Sequence, residues 1–341
     1  MTETEPSARA ALDALPGLTW AHWTAADLPD ISAMLTAVEA VDQPSERHSL
    51  TELVEDFGSQ VYDLARDCLL ARNEDGEVVA IARSIGTDSD VEVRRSLLAG
   101  AVRPDHRRHG IGRAVLAWQL AHARSWYAAA RRPEHGPHRM SLFADREAEP
   151  EHRLAQRFGL RRVRYYAELT LRDITGAARP DAASADVAGI EIRPWATSTP
   201  EETLAVRNAA FRDHWGSVPR TLAGWTEQVA SAHFRPEWSF VAVDPDSATV
   251  VGFVMSTTYE QDWEPQGYTS GYLDLVGTLR AYRGRGIASA LINRAIAGFA
   301  DAGLDAAEIG VDAENPTGAF GLYSGLGFEE TSGTVQFMLE E

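Results

Sequence analysis

The sequence predicts an α/β fold, more narrowly an α+β arrangement with a mixed sheet, repeated twice along 341 residues. Three observations favour this fold class. The chain is longer than one average domain, a glycine-containing motif occurs in both halves, and each half combines a predicted strand hairpin with a strand–loop–helix unit. A hydrophobic content of 44% and a charged content of 24% are typical of globular chains, so each half can bury a core.

The internal repeat is carried by several matched segments. Residues 107–114 and 283–290 both read R-x-x-G-I-[GA]-x-A, and one interval separates both their arginines and their first glycines. Residues 158–160 and 326–328 each place a glycine between two large apolar residues at a similar interval. Matches in one order, at nearly one spacing, indicate two copies of one fold.

The boundary between the copies is predicted from composition. Residues 175–187 are rich in Ala, Gly, Pro and Asp and lack hydrophobic periodicity, which is typical of a linker. We therefore predict an N-terminal copy at 1–175, a linker at 176–187 and a C-terminal copy at 188–341.

Both copies show a similar order of predicted elements. A short strand is followed by an amphipathic helix, a hairpin with a polar turn, an apolar strand, the glycine motif and a long helix. In the second copy another strand and a short helix follow. In the first copy the strand, first helix, polar turn and long helix are predicted at 17–20, 26–41, 73–76 and 113–124. In the second copy the same four elements are predicted at 189–194, 201–211, 244–247 and 289–300, and the further strand and short helix at 307–311 and 317–324.

The charge and cysteine content narrow the function. A net charge of −18 would repel a phosphate backbone, so no nucleic acid is expected as a partner; the acidity either attracts a cationic substrate or only keeps the protein in solution. The first six residues are unlike a secretory signal and no apolar run could span a bilayer, so we expect a cytoplasmic monomer or homodimer with no membrane partner. The single cysteine, Cys68, lies in an apolar run, which favours a buried thiol over a nucleophile.

The second glycine motif stands directly before a predicted helix. Glycines let an anion approach the backbone closely, a helix start offers unpaired N–H groups, and two arginines add positive charge. This pattern favours a diphosphate ligand over a bare strand-to-helix connection. Neither a P-loop nor a dinucleotide-binding fingerprint is present in the sequence.

These motifs resemble the signature of the GNAT superfamily of acyl-CoA-dependent N-acetyltransferases. Its R/Q-x-x-G-x-G/A pattern is matched by Arg283, Gly286 and Ala288, and its E/D-N-x-x-A-x-x-x-Y-x-x-x-G-F segment by residues 314–328, with the alanine shifted by one position. The resemblance covers most of the chain. It implies two tandem GNAT-type domains, acetyl-CoA as co-substrate, a primary amine of a small molecule as acceptor, and no metal.

The resemblance also implies which residues contact acetyl-CoA. In the C-terminal copy these are Leu275, Val276, Thr278, Arg283, Gly284, Arg285, Gly286, Ile287, Ala288, Ser289 and Asn315. In the N-terminal copy they are Val102, Arg107, Arg108, His109, Gly110, Ile111, Gly112 and Arg113.

Roles in the reaction follow from the same resemblance. The strand 272–278 is expected to splay from its neighbour, with Val276 as the contact of the thioester oxygen and Thr278 of the pantetheine. Asn315 is expected near the pantetheine or a water. Tyr323 is the candidate acid for the leaving thiolate, against the alternative of a tyrosine that only packs a short helix.

The general base is left open, because Tyr272 stands where the family often has a glutamate. Asp274 faces the same side of the strand and is flanked by two leucines, which should raise its pKa. We predict that Asp274 orients the acceptor amine or takes its proton through water, against the alternative of a structural aspartate bonded to backbone. Glu260 and Asp262, expected on the preceding strand end or loop, are held in reserve.

The acceptor pocket is predicted near the aromatic cluster at 211–216, since this region shapes that pocket in the family. His214 and Trp215 either line the pocket or anchor a packed loop. Because this chain has two copies and a weaker first half, it resembles the mycothiol synthase type. Enzymes of that type acetylate the cysteinyl amine of a sugar-linked thiol precursor. The presence of Tyr272 departs from that type.

The first copy resembles a degenerate one. Aligning Gly159 with Gly327 places Ala155 opposite Tyr323, and no E-N pair precedes it. The first copy then either holds an acyl-CoA without turnover or completes the acceptor cleft. Two alternatives stay open for the whole chain: a non-catalytic acyl-CoA sensor, and a nucleic-acid-binding protein that uses the basic run 103–113, which the overall acidity disfavours.

Overall fold

The computed structural model describes residues 4–44, 46–58, 63–87, 93–174, 186–187, 189–212, 217–314 and 319–341. The chain divides into two compact units. Unit 1 comprises Met1–Arg164 and Thr334–Glu341, and unit 2 comprises Tyr165–Gly333. Each unit mixes helices with a sheet of parallel and antiparallel strands, which confirms the predicted fold class.

Unit 1 holds the elements of the first half of the chain. Its helices are α1 (Glu5–Asp13), α2 (Leu28–Asp42), α3 (Leu50–Gly58), α4 (Leu64–Asp67), α5 (Ile111–Ala130) and α6 (Glu149–Arg157). The strands of this half are β1 (Thr19–His22), β2 (Cys68–Arg72), β3 (Val78–Thr87), β4 (Arg94–Val102), β5 (His138–Asp145) and β6 (Arg161–Arg172), of which β6 runs on into unit 2.

Unit 2 holds most elements of the second half. Its helices are α7 (Pro200–Ala210), α8 (Leu222–Val229), α9 (Glu260–Gln266), α10 (Ile287–Asp301) and α11 (Ala319–Gly325). The strands of this half are β7 (Asp186–Val187), β8 (Ile190–Pro194), β9 (Phe240–Asp244), β10 (Thr249–Thr257), β11 (Ser270–Thr278), β12 (Ala306–Asp312) and β13 (Glu329–Glu340), of which β13 runs on into unit 1.

The two sheets have the same mixed topology. In unit 1 the strand order is β1-β2-β3-β4-β5, antiparallel throughout except for the parallel pair β4/β5. In unit 2 the order is β6-β12-β11-β10-β9-β8-β7, again antiparallel except for the parallel pair β11/β12. The end of β13 pairs with β5 in unit 1, and β6 pairs with β12 in unit 2. Each unit is therefore completed by a strand from the end of the other half.

Helix α10 shows how the sequence builds the core of unit 2. Its apolar residues recur at helical spacing and are buried against the sheet: Ile287, Leu291, Ile292, Ala295, Ile296 and Phe299. Each large side chain contributes roughly 1.5–3 kcal/mol by leaving water. Gly271 makes room for Phe299, because a Cβ there would lie 2.5 Å from the ring.

Several sequence-based predictions can be compared directly with these elements. The two long helices are confirmed and extend beyond their predicted ends. Residues 176–185 of the predicted linker lie outside the described residues, while Asp186–Val187 forms a short strand. Cys68 is buried, and this burial raises its thiol pKa to about 12, which confirms the buried-thiol interpretation. Within the described ranges, every helix is too short or too polar to cross a bilayer.

Candidate active site

The two glycine loops share one backbone conformation. Gly286 (φ +80°) precedes α10 and Gly110 (φ +85°) precedes α5, and the residues two positions earlier, Gly284 (φ +75°) and Arg108 (φ +69°), are left-handed as well. In each loop the amide four residues after the capping glycine donates to its carbonyl, at 3.0 Å and 3.1 Å. A glycine takes this conformation without strain, whereas a side chain such as that of Arg108 costs roughly 1–2 kcal/mol.

The start of α10 fits a diphosphate. Among the described residues no side chain caps this helix, so its first N–H groups are open to an anion. A Cβ on Gly284 would meet no atom within 4 Å, and one on Gly286 would come no closer than 3.6 Å to Val187. Bare backbone, open space and a helix of 15 residues are the features that bind phosphate groups in proteins.

The arginines of the second loop have different tasks. Arg283 donates through Nε to the carbonyl of Thr278 at 3.2 Å and through Nη2 to that of Ala210 at 2.8 Å. Its guanidinium therefore fastens the loop to the end of β11 and to α7. Arg285 instead packs over the ring of Tyr282 at 5.0 Å and supplies an exposed positive charge beside the turn.

The first loop is held in a related way but faces a carboxylate. Arg107 donates to the carbonyl of Val102 at 2.9 Å and forms two 2.6 Å hydrogen bonds with Asp42. The Asp42 charge lies beside the turn, where it would repel an anion. In both copies the isoleucine of the motif, Ile111 or Ile287, is buried, so only its main chain remains for a ligand.

The central parallel strands splay in both units. In unit 2, β11 and β12 pair only over residues 270–272 and 306–308, although both strands continue further. In unit 1, β4 and β5 pair only over residues 94–97 and 138–141. The main chain beyond these points, including that of Leu275 and Val276, is released from its parallel neighbour, as predicted for the strand 272–278.

A β-bulge distinguishes the second copy. Met255 of β10 pairs with Leu275, but the next residue, Ser256, pairs with Leu273, so Asp274 is the extra residue. A bulge of this kind turns two successive side chains to one face and re-aims the main chain. Asp274 bonds to α8 on that face, and Leu275 packs against a buried apolar cluster that includes Trp225 of α8 and Phe253.

The first copy has a regular ladder at the same place. Strands β3 and β4 pair without a register shift from Ala80 and Val102 to Thr87 and Arg95. The amide of Gln119 on α5 donates to the carbonyls of Ala99 at 2.7 Å and Arg83 at 3.0 Å. The first copy therefore has no counterpart of Asp274.

Asp274 lies among polar side chains of unit 2. Its Oδ2 accepts a hydrogen bond from Nε2 of Gln228 at 3.0 Å, and the main-chain N–H of Arg220 is held by Asn208 at 2.9 Å. Burial raises the pKa of Asp274, and the Arg220 charge and the Gln228 bond only partly oppose this, which confirms the predicted direction. Sequence reasoning missed Gln228 and Arg220, since neither belongs to a motif.

Tyr272 lies next to a carboxylate from the first half of the chain. Its hydroxyl donates to Oε2 of Glu168 at 3.0 Å, and its ring packs edge to face against Tyr259, with centroids 5.5 Å apart. Glu168 lies on β6, which pairs with β12. Sequence reasoning missed Glu168 because its place depends on a pairing between distant strands.

Tyr323 is buried on α11 and packs edge to face against Phe328, with centroids 5.8 Å apart. Burial raises its pKa above the ordinary value of 10.0, so the phenol keeps its proton at neutral pH. The amide of Phe328 donates to the carbonyl of Tyr323 at 3.1 Å, as Leu160 does to Ala155 at 3.1 Å. This shared turn confirms that Ala155 occupies the position of Tyr323 in the first copy.

Three other predicted residues, Thr278, Glu260 and Asp262, have surroundings that the sequence did not indicate. Thr278 turns its hydroxyl into the core beside Gly252 and Leu291, where Oγ1 has no hydrogen-bond partner among the described residues, so its main chain is what remains for a pantetheine. The expectation for Glu260 and Asp262 is wrong: both lie in the first turn of α9, because this segment forms a helix rather than a strand end or loop. Glu260 pairs there with an arginine at 3.4 Å.

Some predicted positions lie outside the described residues, namely His214, Trp215 and Asn315. Within the described ranges, no three His, Cys, Asp or Glu side chains form a group that could hold a metal ion.

Comparison with known proteins agrees with this geometry. A model of the Acetyltransferase (GNAT) family matches residues 35–159 and 201–328, one region in each half. A mycothiol acetyltransferase of Thermobifida fusca is 30% identical over 256 residues, covering 70% of this chain and 72% of that protein. One of Salinispora arenicola is 28% identical and covers 91% of this chain and 94% of that protein.

Two solved structures share the fold. A GCN5-related N-acetyltransferase from Sphaerobacter thermophilus has a TM-score of 0.72 and 24% identity, covering 95% of this chain and 96% of that chain. A tandem GNAT protein from the clavulanic acid biosynthesis pathway has a TM-score of 0.68 and 16% identity, covering 95% and 98%. With acyl-CoA as its co-substrate, this chain is an N-acyltransferase that belongs to the GNAT family of acetyltransferases, as a tandem member resembling mycothiol synthase.

Proposed function

We propose that this enzyme transfers an acetyl group from acetyl-CoA to a primary amine of a small-molecule acceptor, and that the reaction takes place in the C-terminal copy. The observation that carries the proposal is the bulge at Asp274. It lies where β11 leaves β12, its carboxylate is bonded to α8, and it has no counterpart in the first copy. We keep the division into repeats at 1–175 and 188–341, with a linker at 176–187, as part of this proposal.

The loop and the splayed strand would hold the co-substrate. Residues 283–289 offer the first N–H groups of α10 to the diphosphate, with the charge of Arg285 beside them. The main chain of Leu275 and Val276 offers polar groups to the pantetheine and to the thioester oxygen, where negative charge develops during attack. Asn315 stays a predicted contact of the pantetheine.

Asp274 and Tyr323 would handle the amine and the leaving group. Asp274 turns towards α8, where it can orient an acceptor amine or receive its proton through water. Tyr323 keeps its proton at neutral pH and can deliver it to the departing thiolate. In the first copy Ala155 has no proton to give, so that copy would not turn over an acyl-CoA.

The acceptor class draws on the relatives. Those that cover most of this chain are named mycothiol acetyltransferases, so the cysteinyl amine of a sugar-linked thiol precursor is the first acceptor to test. Tyr272, which is bonded to Glu168, stands where the family often has a glutamate. Other small primary amines therefore belong in the same panel.

The test measures release of free thiol from acetyl-CoA with a panel of primary amines. We expect the wild type to release thiol with at least one amine, and Tyr323→Phe to lower kcat by about a hundredfold with little change in the acetyl-CoA KM, since only the acid is lost. Tyr127→Phe is the control, because Tyr127 lies in unit 1 and its hydroxyl donates to the carbonyl of Gly136 at 2.8 Å.

Either of two results would contradict the proposal. Unchanged kcat in Tyr323→Phe would remove this residue from the reaction. Binding of acetyl-CoA by the wild type, with no thiol released for any amine, would identify the chain as a non-catalytic acyl-CoA sensor.

A further inference from the structure

We propose that Glu168, on the last strand of the first half, is a positioning residue for the reaction of the second copy and acts through the hydroxyl of Tyr272. The inference rests on the proposed function and concerns how the acceptor amine is held and deprotonated. It is carried by where Glu168 lies and by what it binds.

Glu168 is brought to this place by strand pairing. Within unit 2, β6 runs antiparallel to β12 with Glu168 opposite Gly310, and β12 lies beside β11, which carries Tyr272. A Cβ on Gly310 would lie 2.7 Å from the Tyr272 hydroxyl and 2.8 Å from Oε1 of Glu168. Because glycine lacks this atom, the carboxylate and the phenol can meet over the strand.

The pair fixes the direction of the Tyr272 hydroxyl. The phenolic proton is directed at Oε2 of Glu168 at 3.0 Å, and the edge-to-face contact with Tyr259 holds the ring. A hydroxyl whose proton is committed still has an oxygen that can accept a hydrogen bond. An ammonium or amine group of the acceptor is such a donor to the Tyr272 oxygen.

The pair lies where the strands separate. Tyr272 is the last residue of β11 that pairs with β12, and the bulge at Asp274 follows two residues later. Thr257, opposite Tyr272 on β10, has a buried hydroxyl with no hydrogen-bond partner among the described residues. The Tyr272 hydroxyl thus lies at the edge of the segment assigned above to the thioester, close to where an acceptor nitrogen must arrive.

The pair can also carry the proton that the acceptor must lose. An ammonium gives one proton to the Tyr272 oxygen while the phenolic proton moves to the Glu168 carboxylate, which leaves a neutral amine and a protonated Glu168. The free amine then attacks, and Glu168 returns its proton to water after the product leaves. No other reactant is needed, and Tyr272 is a neutral phenol before and after the transfer.

A second tyrosine–glutamate pair on the same strands provides a control. Tyr268 donates to Glu308 at 2.6 Å, and Ser270 donates to the other oxygen of that carboxylate at 2.6 Å. Ser270 and Glu308 lie in the segment where β11 and β12 still pair, before the splay. The chain itself satisfies both oxygens of Glu308, so this pair is structural.

The experiment measures kcat/KM for one amine across a pH series, with acetyl-CoA saturating. We expect Glu168→Gln and Tyr272→Phe each to lower this value by about a hundredfold, with the acetyl-CoA KM unchanged. The double variant should lose no more than the worse single variant, since both residues act as one unit. Glu168→Asp should recover part of the loss and the wild-type acid limb of the profile, which Glu168→Gln lacks.

The control variants Glu308→Gln and Tyr268→Phe should change thermal stability but leave the pH profile at its wild-type shape. Wild-type kcat/KM and pH profile in Glu168→Gln would overturn the inference while leaving the proposed function intact. Losses that multiply in the double variant would overturn it too, because the residues would then act separately.

Failure of the proposed function itself would be seen in the wild type, as no thiol release with any amine. In that case the inference is decided by calorimetric titration of the first acceptor to be tested, the cysteinyl amine of the sugar-linked thiol precursor, into CoA-saturated protein. Weaker amine binding in Glu168→Gln and Tyr272→Phe than in the wild type and the Glu308→Gln control supports it, and equal affinity in all four proteins overturns it.

Discussion

At Asp274, the stability of the folded protein and the proposed activity favour different side chains. The bulge inserts this residue into an otherwise regular ladder, and its half-buried carboxylate accepts a hydrogen bond from Gln228 of unit 2. Because its folded-state pKa is raised above the ordinary 3.8, the folded protein prefers the protonated acid. The associated stability is complete below pH 3.8 and is lost as the pH rises through the folded pKa. At neutral pH the ionised carboxylate therefore lowers the stability of unit 2.

Replacing Asp274 by Asn should separate stability from activity. We expect a higher free energy of unfolding at neutral pH, by about 1.4 kcal/mol for each unit by which the pKa is raised, because the buried charge is removed. The kcat/KM for the amine should fall by about tenfold or more. Urea unfolding and thiol release measure the two effects.

The matched control for this change is Asp301→Asn, at the exposed end of α10, which should leave both quantities unchanged. An Asp274→Asn protein that is less stable than the wild type and fully active would show that the carboxylate is structural.

Among the elements, the loop–helix unit occurs twice with one backbone and different surroundings. The second loop is fastened by an arginine to main-chain carbonyls, and the first by an arginine to the Asp42 carboxylate. Both helices begin after a left-handed glycine, so a Cβ at either position brings a similar strain. The consequences for activity should nevertheless differ between the copies.

Substituting Ala for Gly286 should raise the acetyl-CoA KM by about tenfold or more, since the added Cβ strains the turn that faces the diphosphate. Gly110→Ala should destabilise unit 1 but leave transfer intact. Gly267→Ala, at the left-handed end of α9 with no atom within 4 Å of the new Cβ, controls for backbone strain alone. Loss of transfer in Gly110→Ala, with Gly286→Ala active, would place the reaction in the first copy.

Within unit 1, helix α1 is joined to α5 by a largely buried network of ionic hydrogen bonds. His122 on α5 bonds to Glu5 at 2.6 Å and to Asp67 at 3.0 Å, and Arg66 also bonds Asp67. Burial alone would lower the pKa of His122, but the bonds to Asp67 and Glu5 outweigh it and raise the pKa. Burial would likewise raise the pKa of Asp67, but Arg66 and His122 lower it to about 2.

The network should make unit 1 most stable in mildly acidic solution. The contribution of His122 is complete below pH 6.5 and is lost as the pH rises through its raised folded pKa. The contribution of Asp67 is complete above pH 3.8 and is lost as the pH falls towards about 2. The free energy of unfolding of unit 1 should therefore fall as the pH rises above 6.5, through the raised folded pKa of His122.

Urea unfolding across this range tests the expectation with His122→Gln, which should abolish most of the slope. His138→Gln is the control, because burial lowers the pKa of His138 to about 4 and it carries no charge in this range. An equal slope in the wild type and His122→Gln would show that the network does not titrate there.

On the scale of the whole molecule, local signals in the sequence predicted the repeat and most of its elements. The glycine motifs, the polar turns and the apolar face of α10 each depend on neighbours along the chain, and all are present. The direction of the Asp274 pKa followed from its flanking leucines. The short helix α9 was missed, and with it the placement of Glu260, because a few residues carry too little periodicity.

What could not be predicted depends on pairing between distant strands. No local pattern indicates that β6 joins β12 in unit 2 or that the end of β13 joins β5 in unit 1. The bulge at Asp274 is likewise visible only in the register of β10 against β11. For this reason the sequence led to Asp274 but not to Glu168.

Removing residues 334–341 should therefore destabilise unit 1, although these residues lie at the end of the second half of the chain. This segment pairs with β5 from Thr334 to Glu340, and the main chains of Glu341 and His138 exchange hydrogen bonds of 2.8 Å and 2.9 Å. Hydrogen exchange should show lost protection of the β5 amides, while those of β12 keep theirs. Loss of protection in β12 with β5 unchanged would contradict the strand assignment.

The most direct test of the account is a crystal structure of the protein with acetyl-CoA bound. We expect the diphosphate at the N-terminus of α10, on the loop 283–289, and the acetyl group beside the bulge at Asp274, within reach of Tyr323. An empty second loop, with acetyl-CoA bound elsewhere or only at the first loop, would contradict the claim that the C-terminal copy carries out the transfer.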